Sequence, residues 1–370
     1  MMKIAGIDIG GANLKFALIR SPAPALSITP STDLLSVPVT PEMTKPSSDI
    51  EIVGEVAFPF WTDHRQLVTK LTQLRSSWGD LDGIAITMTA ELADCFENKR
   101  QGVHYIVDAV EQAFPKTACR FYTTQGKLVD AKHAKQNWAL TAASNWHASA
   151  WYLFRQHQRE EGFLIDIGST TCDLIPVQAG RPVSPGQTDL DRLRNQQLVY
   201  AGVGRTAVCS LIDSVFFAND KVAIARELFA TVADAMIWTH RFPARPDCCN
   251  SADQRPMTRS DCRVRLCRML CADNEDLTDE QVTAIADQTY AALKKQIVIS
   301  LQSVVDEHPL IAKTFCLAGS GQALARSAIE VVCTNQPNLT IIGTPPQNET
   351  GQAIPAIAVA MKWLTAEDRR

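Results

Sequence analysis

The chain opens on an apolar run, Ile4-Ala5-Gly6-Ile7, that ends in Asp8; Leu14, Phe16 and Leu18 then alternate with Lys15 and Ala17. An unbroken apolar run predicts a strand covered on both faces, and period-two alternation predicts a strand with one buried face. Residues 3–20 are therefore predicted as two strands joined by a tight turn. Residues 21–50, rich in Pro, Ser and Thr, are predicted as an irregular insertion with room for one strand. Apolar positions at helical spacing predict helices over 64–77 and 102–114, with short strands at Gly83–Thr87 and Cys119–Tyr122. The Ala- and Trp-rich stretch 141–155 is predicted as a further helix, with Trp138, Trp146 and Trp151 in the core.

After residue 162 the pattern begins again. Gly162-Phe163-Leu164-Ile165 ends in Asp166, and Leu174–Val177 and Val199–Gly202 follow as strand-like segments around a polar stretch at 186–197. Helices are predicted from 205, over 221–238, over 278–308 (Leu293, Ile297 and Leu301 at helical spacing), over 322–333 and over 353–365. The segment 239–275, with its Arg, Pro and Cys, is predicted to be irregular. Strands and helices in this order predict an α/β protein.

The restart repeats a chemical feature as well as a pattern. Asp8-Ile9-Gly10-Gly11-Ala12-Asn13-Leu14-Lys15 and Asp166-Ile167-Gly168-Ser169-Thr170-Thr171-Cys172-Asp173 each turn out of a buried strand through Gly and small polar residues. Such turns leave backbone N–H groups free to face an anion, which glycine allows to approach closely. The acid beside each turn is a candidate ligand for a hydrated divalent cation such as Mg²⁺ on that anion. The competing reading is that Asp8 and Asp166 only cap tight turns. Two copies point to a duplicated phosphate-binding fold.

Composition narrows the classes. The 370 residues are 46% hydrophobic with net charge −4, which suits a chain with a sizeable core and gives no global basic field for nucleic acid. No apolar run is long enough to span a bilayer, and no leader pattern precedes the first strand, so a cytoplasmic location is expected. Eleven cysteines, with Cys172, Cys209, Cys316 and Cys333 inside expected core strands, fit reduced thiols used as small apolar residues. Cys248-Cys249, Cys262, Cys267 and Cys271 lack the CxxC spacing of a closed zinc site.

The two turns, together with Ala318-Gly319-Ser320-Gly321, resemble the two phosphate motifs and the adenosine motif of the actin-like sugar kinase/Hsp70 superfamily, in its hydantoinase/oxoprolinase branch. Thr87–Asp94 with Phe96, Lys99 and Gly102-Val103 resembles a signature of the tetrahydromethanopterin-linked one-carbon pathway family, whose archaeal members are similar to enzymes of methanofuran biosynthesis. Asn145-Trp146, Tyr200–Thr206 and Thr239–Cys249 do so as well. The resemblance implies two ribonuclease-H-like lobes with a cleft between them. The N-terminal lobe would cover 1–160 and the C-terminal lobe 161–352, with a helix in 353–370 packing back on the N-terminal lobe. It also implies a transferase that joins a furan-methanol diphosphate to the phenol oxygen of a tyramine-type acceptor and releases diphosphate. ATP would be bound at most, not consumed. The partners expected are small molecules, with homo-oligomerisation left open.

On that reading Gly10, Gly11, Asn13, Lys15, Gly168, Ser169, Thr170 and Thr171 cradle the diphosphate, while Asp8 and Asp166 hold Mg²⁺ and count as catalytic. Glu91 or Asp94, at the C-terminal end of a strand, is the candidate base for the phenol, although either would equally suit a helix's first turn. Arg205, Arg241 and Arg245 match phosphate or carboxylate oxygens, or are solvated surface arginines. Lys99, His240 and the turn Gly319, Ser320 and Gly321 complete the expected substrate contacts; a lone histidine and a Gly-rich turn each also have a plain structural reading. The alternatives are an ATP-dependent small-molecule kinase, a hydantoinase/oxoprolinase-like hydrolase, and a non-catalytic ATP-driven scaffold.

Overall fold

Ala5, Ile7 and Ile9 of β1 (Met2–Ile9) enter one apolar cluster and Ile4 another, as a strand covered on both faces requires. The computed structural model describes residues 2–21, 50–217, 220–334, 336, 338–344 and 353–365, so the insertion expected at 21–50 lies almost wholly outside the described residues. β1 pairs antiparallel with β2 (Asn13–Ser21), which pairs antiparallel with β3 (Ile50–Ala57). After α1 (Phe60–Asp63) and α2 (Leu67–Trp78), β4 (Gly83–Met88) joins the other side of β1 in parallel. α3 (Lys99–Ala113) leads to β5 (Cys119–Tyr122), parallel to β4, and β6 (Leu128–Val129) closes the edge.

The predicted helix over 141–155 is divided. α4 (Ala131–Gln136) and α5 (Trp138–Thr141) precede a break, where Ala143 takes φ +45°, and α6 (Asn145–Gln156) follows. The break serves the buried Ser144, whose hydroxyl donates to the Tyr122 carbonyl at 3.1 Å and shares a 3.0 Å hydrogen bond with Thr87. Tertiary polar contacts here override helix propensity.

The second sheet repeats the first. β7 (Gly162–Ile167) and β8 (Cys172–Gln178) form a hairpin, and β9 (Arg181–Pro182) extends β8. Past α7 (Asp189–Arg194), β10 (Leu198–Val199) pairs with β8 on its outer side. The orders are β3-β2-β1-β4-β5-β6 and β10-β8-β7 continued by two later strands, β13 (Thr314–Ala318) and β14 (Thr340–Gly343). From β3 to β5 and from β10 to β14, successive pairs run antiparallel, antiparallel, parallel, parallel.

Between β10 and β13 lies a mostly helical insertion. Of the helix expected from 205, α8 covers only Val208–Leu211. The helix expected over 221–238 is overturned in its first part. Residues 221–223 belong instead to β12 (Asp220–Ala223), which forms a hairpin with β11 (Ser214–Phe217), clamped by Gln288, whose amide exchanges two hydrogen bonds with the Phe216 backbone. Only α9 (Val232–Trp238) is helical. Nor is 239–275 irregular throughout, because α10 (Arg259–Arg268) forms inside it, capped by Thr258. Arg265 is fully buried and ties α10 to Asp234 at 2.8 Å and Asp253 at 2.9 Å. α11 (Asp279–Glu307) starts on a Thr278/Gln281 capping box and matches the long helix expected. With α12 (Gln322–Val332) it covers the outer face of the second sheet.

The inner faces of the two sheets share one apolar layer. α6 and α13 (Ile354–Leu364) fill it, with Ile4, Ala17, Ile19 and Ala85 on one side and Leu164, Ile175, Val177 and Cys316 on the other. α13 lies so close to β1 that a Cβ on Gly6 would sit 1.9 Å from the Ala356 carbonyl oxygen, so only glycine fits. Trp146 and Trp151 are buried in this layer and Trp138 packs against a neighbouring cluster, as expected. Cys172 and Cys316 lie buried in strands as expected, whereas the buried Cys333 caps the end of α12 and the half-buried Cys209 lies in α8, so neither of these is in a strand. Strand alternation puts Asp8 on the face of Ile4 and Gly6, and Asp166 on the face of Leu164. Both carboxylates therefore face the space between the sheets.

Candidate active site

The two turns close in the same way. The Gly10 N–H donates to the Asn13 carbonyl at 3.0 Å, and the Gly168 N–H donates to the Thr171 carbonyl at 2.9 Å. Backbone, not the acids, closes each turn, and the buried Oδ1 of Asp8 has no hydrogen-bond partner among the described residues. Pairing register sets Lys15 opposite Asp8 and, at the equivalent position, Asp173 opposite Asp166. Burial pushes the Asp8 carboxyl up to about 6, with the Lys15 ammonium pulling it back. Burial, then the charge of Asp173, pushes Asp166 up to about 7, although an edge of it reaches solvent; Lys15 lowers it and Asp8 raises it. The charges of Lys15 and Asp8 thus reach Asp166 from the other lobe.

Other segments wall this space. The Thr89 and Ala90 N–H groups donate to the Ile9 carbonyl at 2.9 and 3.1 Å, holding the 87–94 segment to the end of β1. Gly319, at φ +75°, leaves room that a side chain would take from Asp166: its Cβ would lie 2.6 Å from Oδ1. The Gly321 N–H donates to the Ile167 carbonyl at 2.9 Å, and Ser320 stays exposed. The Val203 N–H donates to the Gly168 carbonyl at 3.0 Å and the Arg205 N–H to the Ser169 carbonyl at 2.8 Å. On the first turn, the Phe60 N–H donates to the Gly11 carbonyl at 2.9 Å.

Glu91 is buried, with 1% of its surface exposed, and its Oε2 has no hydrogen-bond partner among the described residues. Burial pushes it up to about 7, against a downward pull from Lys99 and with an upward push from Asp189. Residues 89–98 stay out of helix, and α3 begins only at Lys99 behind the Asn98 cap, so Glu91 is not a first-turn acid. Asp94, three residues on, is exposed. Lys99 bonds Asp189 across the lobes at 2.8 Å. Asp189 in turn meets Arg192 at 3.4 Å, and Arg192, buried over the Trp146 ring at 4.5 Å, pairs with Asp173. Asp173, Asp189 and Arg192 were not expected at the site. Asp173 was legible, since it follows Asp166 at the spacing by which Lys15 follows Asp8.

The structure does not bring the 240–245 segment to the turns. α9 starts where the Val232 and Ala233 N–H groups donate to Thr206 and Gly204, and its seven residues run about 10 Å away from there. His240, at φ +58°, is exposed beyond its far end. Arg241 pairs with Asp287 at 3.0 Å and covers the Tyr290 ring at 4.4 Å. Arg245 meets the Met257 sulfur at 3.1 Å. Among the described residues no group of three or more His, Cys, Asp or Glu side chains is set to hold a metal, and no helix is long and apolar enough to cross a membrane.

The hydantoinase/oxoprolinase family model matches residues 82–341. The chain is 30% identical, over 96% of both chains, to the (4-{4-[2-(gamma-L-glutamylamino)ethyl]phenoxymethyl}furan-2-yl)methanamine synthase of Methanocaldococcus jannaschii. It is 27% identical to the synthase of the same name from Methanococcus vannielii, over 54% of this chain and 88% of that one. Among solved structures, nucleotide-free acetone carboxylase is similar in fold, with a TM-score of 0.50 and 10% identity over 97% of this chain and 70% of that one. The two-lobed actin-like α/β architecture and the whole-length likeness agree: the chain belongs to the hydantoinase/oxoprolinase family, in the branch of these archaeal synthases.

Proposed function

We propose that this enzyme forms the aryl ether of a methanofuran-type cofactor for one-carbon metabolism, joining a furan-methanol diphosphate to a tyramine-type phenol. The observation that carries the reading is the full-length likeness to a synthase whose named product is a phenoxymethyl-furan, an aryl ether on a furfuryl carbon. The phenol oxygen bonds to the furfuryl carbon, the bond from that carbon to the diphosphate oxygen breaks, and diphosphate leaves with the electron pair. The phenol proton passes to Glu91. A phenol ordinarily titrates near 10, so a carboxylate raised to about 7 is a better matched base than one near 4.

The leaving diphosphate gathers negative charge, which the N–H groups of the turns at 8–13 and 166–171 and the Lys15 ammonium stabilise. Asp8 and Asp166 suit a magnesium ion, because Asp8 Oδ1 is orphaned and two carboxylates leave most of the shell to water and phosphate. When bound, that ion would neutralise diphosphate charge. Lys99 is held by Asp189 beside Glu91 and favours its charged form. The Gly319–Gly321 turn supports a second reading, ATP-dependent kinase or hydrolase chemistry, because it closes on Asp166 where superfamily relatives place adenosine.

Calorimetry with Mg²⁺ against ATP and inorganic diphosphate in parallel, followed by incubation with the furan-methanol diphosphate and the phenol, separates the two. Diphosphate binding and ether formation without ATP are expected. Tight ATP binding with ATP consumption, and no ether, would overturn the transferase reading.

A further inference from the structure

Trp61 is the one large side chain of α1 that the core does not use. Its neighbour Phe60 is fully buried and anchors the helix, whereas Trp61 is 39% exposed. Arg205 lies over the indole at 4.9 Å and has no carboxylate partner among the described residues. The two come from different lobes, and each is tied by backbone to one phosphate turn. Phe60 bonds Gly11, and Arg205 bonds Ser169 at 2.8 Å. The pair therefore spans from one turn to the other, with a flat aromatic face and an uncommitted guanidinium held together.

We infer that Trp61 and Arg205 form an exchangeable clasp for a heteroaromatic alkyl diphosphate: Arg205 leaves the indole for the diphosphate, and the furan ring takes its place on Trp61. The inference rests on the diphosphate reading above. Charge-assisted hydrogen bonds from guanidinium to an anion are stronger than an exposed cation–π contact, so the exchange favours the ligand. Guanidinium matches phosphate oxygens in a planar fork, and an aromatic face accepts a stacked ring. Trp61 is thus a positioning residue for the furan, and Arg205 a diphosphate ligand held beforehand over the indole.

The test titrates the whole protein, with Mg²⁺, against inorganic diphosphate and against the furan-methanol diphosphate, following heat and tryptophan fluorescence. Arg205→Ala should weaken inorganic diphosphate about 10- to 100-fold. Trp61→Ala should leave inorganic diphosphate within about twofold but weaken the furan diphosphate about tenfold, with Trp61→Phe recovering most of it. Inorganic diphosphate should also change the parent's fluorescence and not that of Trp61→Phe. Unchanged diphosphate affinity in Arg205→Ala, or equal losses for both ligands in Trp61→Ala, would overturn the clasp alone. A parent that binds no diphosphate would overturn the clasp together with the proposed reaction.

Discussion

Glu91 differs from a salt-bridged carboxylate in the sign of its contribution to stability. Its pKa rises from an ordinary 4.5 to about 7 on folding, so between those values the folded state binds more protons than the unfolded one. Stability from this group is therefore greatest below about 4.5 and falls as pH rises toward 7. Glu91→Gln should melt above the parent at pH 8, melt with it near pH 4, and lose ether formation at every pH; scanning calorimetry and product assay read both. If the variant melted below the parent at pH 8, Glu91 would be a stabilising charge instead of a strained one. Arg265 is the contrasting residue, since its ion pair with Asp234 is sealed from solvent on both sides. Arg265→Met leaves Asp234 buried without its partner and should cost about 3–5 kcal/mol in denaturant unfolding.

At the scale of elements, the tightest contact is α13 on β1. Gly6→Ala forces a methyl toward the Ala356 carbonyl and should destabilise by about 1–3 kcal/mol, read as a lower urea midpoint at unchanged slope. The strands and turns at 2–21 and 162–178 were legible because local pattern decides them: buried runs, alternation and glycine turns are all sequence-near. The break at Ala143 was not, because Ser144 obeys Thr87 and Tyr122, which sequence separation hides. The end of the hairpin at 221–223 was misread as the start of a helix for a related reason, since the hairpin's clamp is Gln288 on a distant element. At the site, the turns around Asp8 and Asp166 could be named in advance, whereas the chain Lys99–Asp189–Arg192–Asp173 exists only because two lobes meet. Arg241 and Arg245 looked alike as anion ligands; the partners Asp287 and Met257, invisible in the local motif, engage both.

At the scale of the whole molecule, one ligand held by both turns should couple the lobes thermodynamically. Inorganic diphosphate with Mg²⁺ at about 100 times its dissociation constant should stabilise the fold by about 2.7 kcal/mol. Asp8→Asn and Asp166→Asn should each keep the unliganded melting temperature or raise it slightly, since both remove a buried charge, yet abolish the ligand-induced rise. Differential scanning with and without diphosphate checks both halves. The register of the two hairpins carries a last consequence. Five strands of each sheet repeat in order and direction, yet the position facing the acid is a cation in one lobe, Lys15, and an anion already matched to Arg192 in the other, Asp173. A chamber with true twofold symmetry would accept a ligand in either of two flipped orientations. That mismatch gives the chamber a head and a tail, and on the proposed reading an unsymmetrical diphosphate ester would lie in it in a single direction.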